Sequence, residues 1–278
     1  MNLPEDLRRQ IEAIAADSRS GALGLLKRGA EVLLELLLRG AGRETVQEAA
    51  HILMAAQPSM APLIKLGWTI GKAAEEGLEE EELLERTRQF LREAESAPRL
   101  IAEAAAPLLR QRRVLTLSFS SAVIEALRVG TPLEVLCAES RPLCEGVDTA
   151  RALASRGMKV RLGVDALIIG RVKEVDLVVV GADAVTVRGV VNKVGTYPLA
   201  VMAQREDRPF YVLAGAEKVL PPELEGFFRI EGKPSKEVAQ VEGVEVENLY
   251  FDVTPLDLIT AIVTPAGIFP PEEALFAL

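Results

Sequence analysis

The sequence predicts a helical domain followed by an α/β domain built on a doubly wound, mainly parallel sheet. Up to about Leu109, apolar residues recur three and four apart, whereas beyond Arg113 short apolar runs alternate with helical segments. Those later runs lack polar alternation, as strands buried on both faces do. We therefore expect a helical N-terminal domain at 1-109 and a Rossmann-like α/β domain at 110-278.

In the first part, "LRRQIEAIAADS", "LGLLKRGAEVLLELLL", "ETVQEAAHILMAA" and "LLERTRQFLREAE" carry the helical spacing. Gly40, Gly42, Pro58 and Pro62 punctuate the run, and Ala97-Pro98 predicts a break before a last helix, "RLIAEAAAPLLRQ". Four to six helices are expected. The most lipophilic run, "EVLLELLLRG", contains two glutamates and falls short of the roughly 20 apolar residues of a membrane span. It reads as a buried helix face, and no membrane association is expected.

The strand candidates of the second part are "VLTLSF", "LEVLCAE", "KVRLGV", "VDLVVVGA", "PFYVLA" and "VEVENLYF". Sheets of this kind take ligands at the carboxyl ends of their strands. Four strand-end segments follow: "SFSSA", "ESRPLCEG", "GADAVTVRGVVNKVG" and "AGAEKV".

Composition narrows the chemistry. A chain of 278 residues, 49% hydrophobic and 26% charged, can bury two modest cores. With a net charge of -9 the molecule repels polyanions, and only a local basic patch such as Gln111-Arg112-Arg113 could oppose that field, so no direct nucleic-acid binding is expected. The N-terminus has no apolar signal region, which predicts a cytoplasmic protein. Scarce Asn beside abundant Arg and Glu suggests a thermophile.

The two cysteines, Cys137 and Cys144, read as small buried residues, and the single histidine, His51, as structural. No P-loop, metal-spaced Cys/His set or dinucleotide fingerprint is present, so neither metal nor cofactor is expected.

Asp183 follows an apolar strand through Gly181 and Ala182. Apolar walls raise a carboxyl's pKa and suit it to donating a proton, although an Asp here could equally cap the next turn. Asn192 and Lys193 precede the helical stretch "VGTYPLAVMAQRE", where an amide and an ammonium can meet a phosphate or polyol, unless Lys193 is an ordinary surface lysine. Lys218 follows its strand in the same way. Ser118, Ser120 and Ser121 can cradle an anion at the start of a helix; with the one histidine in the other domain, a serine nucleophile would lack its base.

These residues carry a resemblance. "VGADAVTVRGVVNKVGTYPLA", "ESRPLCEGVDTARALASRGMKV" and "FDVTPLDLITAIVTPAGIFPP" resemble a family uniting the α, β and δ subunits of eukaryotic translation initiation factor 2B, methylthioribose-1-phosphate isomerase and archaeal ribose-1,5-bisphosphate isomerase. The resemblance runs from Ala16 to Pro271. It implies a sugar-phosphate site between the two domains, a homodimer, and, in the isomerases, a cysteine base with an aspartate acid. The acid's place matches Asp183, the Asn-Lys pair matches Asn192 and Lys193, and a phosphate-binding lysine matches Lys218.

An N-terminal phosphate loop is approximated by Arg19, Ser20, Gly21 and Ala22, closer to the initiation-factor α-like version. Ser118 stands at the place of the catalytic cysteine, and Gln57 where the isomerases have an arginine. A hydroxyl is a far poorer base than a thiol of pKa about 8.5, and Gln cannot neutralise a phosphate. Three readings stay open: a regulatory member that binds a phosphorylated sugar or nucleotide, an aldose–ketose isomerase with its base displaced to Cys144 or Glu139, and an interaction subunit with no ligand. A translation-factor partner is left unnamed.

Overall fold

The structure, a computed structural model, describes residues 3–17 and 20–277. The chain divides into two compact units, Met1–Ser96 with Leu220–Arg229, and Ala97–Val219 with Ile230–Leu278. This differs from the division expected between 109 and 110 in two ways, and both have a cause in packing.

The first unit holds α1 (Glu5–Ala15), α2 (Ala22–Leu38), α3 (Arg43–Ala56), α4 (Ala61–Glu75) and the start of α5 (Glu80–Leu109). Helix α1 buries Leu7, Ile11 and Ile14, the i, i+4, i+7 stripe of an amphipathic helix. The apolar run of α2 buries Leu33, Leu36 and Leu37 against that stripe, in the same core as Leu53 and Leu63. Pro62 does not separate elements. It opens α4, in the first turn, where a missing N–H costs nothing.

The break expected at Ala97-Pro98 is absent, because α5 continues through Pro98 and Pro107. Leu83, Ala94 and Ala97 are buried before the first proline, and Ile101, Ala102, Ala105 and Leu109 after it. Burial on both sides outweighs the roughly 3 kcal/mol of an interior proline. The second departure is the segment 220–229, which joins the first unit: the Arg229 N–H donates to the Pro58 carbonyl at 2.9 Å, and the Ser59 hydroxyl donates to the Arg229 carbonyl at 2.7 Å.

The second unit is built on seven strands in the order β10-β9-β7-β4-β1-β2-β3: β1 (Arg113–Thr116), β2 (Glu134–Ala138), β3 (Val160–Gly163), β4 (Leu177–Val180), β7 (Phe210–Leu213), β9 (Ala261–Thr264) and β10 (Gly267–Phe269). All pairings are parallel except β10 on β9. Val114, Val135, Cys137 and Val179 pack with the later half of α5, α6 (Ser121–Gly130) and α7 (Glu145–Ala154). Leu115, Leu136, Val178 and Val212 face the other way, onto α8 (Asp165–Ile169), α9 (Thr196–Arg205) and α10 (Pro271–Ala277). That two-sided burial is why the strands read as unbroken apolar runs.

A second, antiparallel sheet orders β5 (Ala184–Thr186), β6 (Gly189–Lys193) and β8 (Phe251–Thr254). The strand read in "VEVENLYF" is corrected: residues 244–250 are irregular and only Phe251 is in β8. Among the described residues, no helix is long and apolar enough to cross a membrane, and no three His, Cys, Asp or Glu are grouped to hold a metal.

Candidate functional site

Strand order decides where the chemistry gathers. From β1 the chain winds outward through β2 and β3, then returns to the other side through β4, β7 and β9, so the direction reverses between β1 and β4. Ligands of doubly wound sheets sit at the carboxyl end of such a reversal. There the chain places Ser118 after β1, Glu145 after β2, Asp183 after β4 and Lys218 after β7, on four neighbouring strands.

After β1 the backbone of Ser118 turns left-handed, with φ 68°, a conformation costing a non-glycine residue about 1–2 kcal/mol. Its N–H donates to the Ser140 hydroxyl at 2.7 Å, and its carbonyl accepts from the Thr149 hydroxyl at 2.7 Å. Both backbone groups are therefore held, while the Ser118 hydroxyl has no protein partner among the described residues. Ser120 caps α6, its hydroxyl oxygen accepting the Val123 N–H at 3.4 Å. Ser121 begins that helix and is exposed. The cradle expected of three serines is thus reduced: one serves the helix and one amide serves Ser140.

After β2 the chain needs two more left-handed residues, Ser140 and Cys144, with φ of 66° and 60°. Asp165 fixes the first of them, its carboxylate accepting the Ser140 and Arg141 N–H groups at 2.7 and 2.8 Å. Gly146 lets α7 start against the end of β2; a Cβ there would lie 1.9 Å from the Ala138 carbonyl oxygen. Gly181, after β4, makes room in the same manner, for a Cβ would meet the Ser120 hydroxyl oxygen at 2.7 Å.

Asp183 follows as the entry to β5, with its N–H donated to the Val191 carbonyl at 2.8 Å. Its carboxylate accepts no hydrogen bond from the described residues and caps no turn. Burial pushes the carboxyl above the ordinary range, Lys218 and Lys193 oppose that rise, and Glu145 adds to it. The strongest opposing charge, Lys218, sits at the end of the turn 216–218, half-buried and without an ion-pair partner among the described residues.

Lys193 is no surface lysine. It is 4% exposed, its Nζ lies 2.5 Å from Glu145 Oε1, and it stands 4.7 Å above the Tyr250 ring and 5.8 Å from that of Phe251. The Tyr250 hydroxyl donates to Glu237 at 2.7 Å, which keeps that ring in place. Beside it, the Asn192 amide donates to Thr196 Oγ1 at 3.0 Å, and this hydroxyl donates to the Lys193 carbonyl at 2.6 Å.

Glu145 was not among the residues singled out in the sequence, although "RPLCEG" contains it next to Cys144. Of the two alternatives for a displaced base, Glu139 follows β2, and the Cys144 thiol is directed to the Pro142 carbonyl at 3.9 Å. The other cysteine, Cys137, is buried, and burial pushes its thiol up to about 12. His51 lies on the exposed face of α3.

Asp252, in the quoted "FDVTP", is also employed in the fold: its carboxylate accepts the Gly195 N–H at 2.7 Å and that of Tyr197 at 3.2 Å, capping α9. Burial pushes this carboxyl up to about 6, against about 3.9 in an unfolded chain. The folded state therefore holds the proton longer, and this group makes stability fall as pH rises from about 4 to 6, with no further change above. Asp252→Asn keeps an acceptor and removes the titration, so the melting temperature of the variant should gain on the wild type over that interval. Parallel melting curves that do not converge or cross would show the carboxyl to titrate elsewhere.

In the first unit, Arg19 lies outside the described residues. Ser20 donates its N–H and hydroxyl to Asp17 at 2.9 and 2.7 Å, Gly21 caps α2 and Ala22 starts it. Gln57 is buried, and its amide donates to the carbonyls of Ile14, Ala15 and Asp17 at 2.9–3.1 Å, closing the end of α1. That employment in the helix end is a reason for a neutral amide at this position.

The Initiation factor 2 subunit family profile matches residues 13–271. The chain belongs to that family. Among its relatives, ribose 1,5-bisphosphate isomerase of Methanocaldococcus jannaschii is 33% identical over 247 residues, covering 85% of this chain and 80% of that protein. Methylthioribose-1-phosphate isomerase of Anaeromyxobacter dehalogenans is 34% identical over 257 residues, covering 83% and 75%. The crystal structure of the Pyrococcus horikoshii OT3 translation initiation factor eIF-2B superposes with a TM-score of 0.85 at 30% identity, covering 98% of this chain and 100% of that one. This initiation factor 2 subunit family member is thus similar in fold to a translation factor, and in sequence to proteins named as sugar-phosphate isomerases.

Proposed function

We propose that the chain binds a phosphorylated sugar or nucleotide at the carboxyl ends of β7, β4, β1 and β2, and that it acts as a regulatory homodimer rather than as a thiol-dependent isomerase. The observation that carries this reading is the cluster of Asp183, Lys218 and the Glu145–Lys193 pair beside Ser118, a hydroxyl at the place where the resemblance puts the thiol. Lys218 supplies the open positive charge, and Asp183 supplies a carboxyl that keeps its proton to higher pH than usual. A retained acid also favours the second reading, an aldose–ketose isomerase whose base is not a cysteine.

Calorimetric titration with ribose 5-phosphate, ribose 1,5-bisphosphate, 5-methylthioribose 1-phosphate and AMP tests the site. At least one is expected to bind, and Lys218→Ala to weaken it by tenfold or more, about 1.4 kcal/mol. No heat from any of them overturns the binding reading. An aldose-to-ketose conversion at an enzymatic rate, lost in Asp183→Asn, overturns the regulatory one in favour of the isomerase. Light scattering on the eluted protein checks the homodimer.

A further inference from the structure

We infer that Glu145 sets which anions the site accepts: by occupying Lys193 it reserves the phosphate for Lys218 and turns compact polyanions away. The inference rests on the proposed binding site and adds its selectivity. Lys193 is enclosed on every side that the structure shows, by Glu145 Oε1 at 2.5 Å and by the rings of Tyr250 and Phe251. An incoming phosphate could reach this ammonium only by displacing a carboxylate from a contact where water screens little.

The second oxygen, Oε2, is buried without a hydrogen-bond partner among the described residues. Its share of the negative charge is therefore not dispersed into donors, and its field opposes a second anion brought to the same strand ends. Glu145 is also the group whose charge helps to keep the Asp183 carboxyl up, which places its field across the same strand ends.

Two lysines and two carboxyls thus leave a single open cation, Lys218, and one neutralised ion pair. A ligand fits that arrangement when its phosphate lies at Lys218 and its uncharged, hydroxylated part lies along the Glu145–Lys193 pair. A sugar monophosphate meets this description better than inorganic pyrophosphate, whose charges have no neutral part between them. Glu145 thus decides between classes of ligand through its charge and its hold on Lys193.

Calorimetric titration of the full chain with ribose 5-phosphate and with inorganic pyrophosphate reads the effect. Glu145→Gln should raise pyrophosphate affinity at least tenfold while changing ribose 5-phosphate by less. Glu145→Asp, which keeps the charge, should retain the wild-type ratio of the two. The gain should vanish when Lys193→Met is added to Glu145→Gln, since the released ammonium is its source. Unchanged pyrophosphate affinity in a Glu145→Gln protein that still unfolds cooperatively, or a gain that survives without Lys193, overturns the inference. If Glu145→Gln does not fold, Glu145→Ala is read by the same ratio. Failure of the binding site itself looks different: no sugar phosphate binds the wild type, whereas the response of pyrophosphate to Glu145 is read without one.

Discussion

Lys193→Met is expected to lower the free energy of unfolding by about 3 kcal/mol, the low end for breaking a buried ion pair from one side. The variant leaves Glu145 with neither of its oxygens bonded, since Oε2 already lacks a partner. Adding Glu145→Gln removes the stranded charge and should restore most of the loss, because a pair replaced at both ends is far less costly than a pair broken at one. Denaturant unfolding of the two single variants and the double measures the coupling directly. Additive losses would mean that the two side chains do not depend on each other in solution.

Gly146→Ala should cost about 3 kcal/mol and carry binding away with it. The new methyl would lie 1.9 Å from the Ala138 carbonyl oxygen and 2.9 Å from the Ser140 hydroxyl, so α7 must move off the end of β2, at the upper end of the usual 1–3 kcal/mol of overpacking. Glu145 begins that helix and Thr149 within it holds Ser118, so the same shift disturbs two strand ends at once. Gly226→Ala is the matched control: nothing lies within 4 Å of its Cβ, and a change within about 0.5 kcal/mol is expected. Comparable melting temperatures for the two variants would contradict the close approach at β2.

The sequence made the layered architecture legible because strands buried on both faces cannot afford polar residues, and "LVVV" and "VLCA" leave little choice. It did not disclose the last two strands or the β5–β6 hairpin: strands of three to five residues contain too little pattern to register. Pro98 misled for a related reason, since local preference is a weak guide where Ala97 and Ile101 are held by a core. The site was half visible. Asp183, Lys193 and Lys218 could be found because each ends a strand or lies just beyond one, but whether a lysine is enclosed depends on Tyr250, far along the chain. Glu145 was passed over beside the more reactive-looking Cys144, and only the 2.5 Å contact with Lys193 identifies it.

The return of residues 220–229 to the first unit bears on how the protein is made. Helices α1 to α4 leave the ribosome early, yet Pro58 and Ser59 have to wait for Arg229 before their carbonyl and hydroxyl find their partners. The N-terminal unit is finished only after β1 to β7 of the other unit have been synthesised. A fragment ending at 109, where the periodicity changes, would therefore leave the Pro58 carbonyl and the Ser59 hydroxyl without these partners.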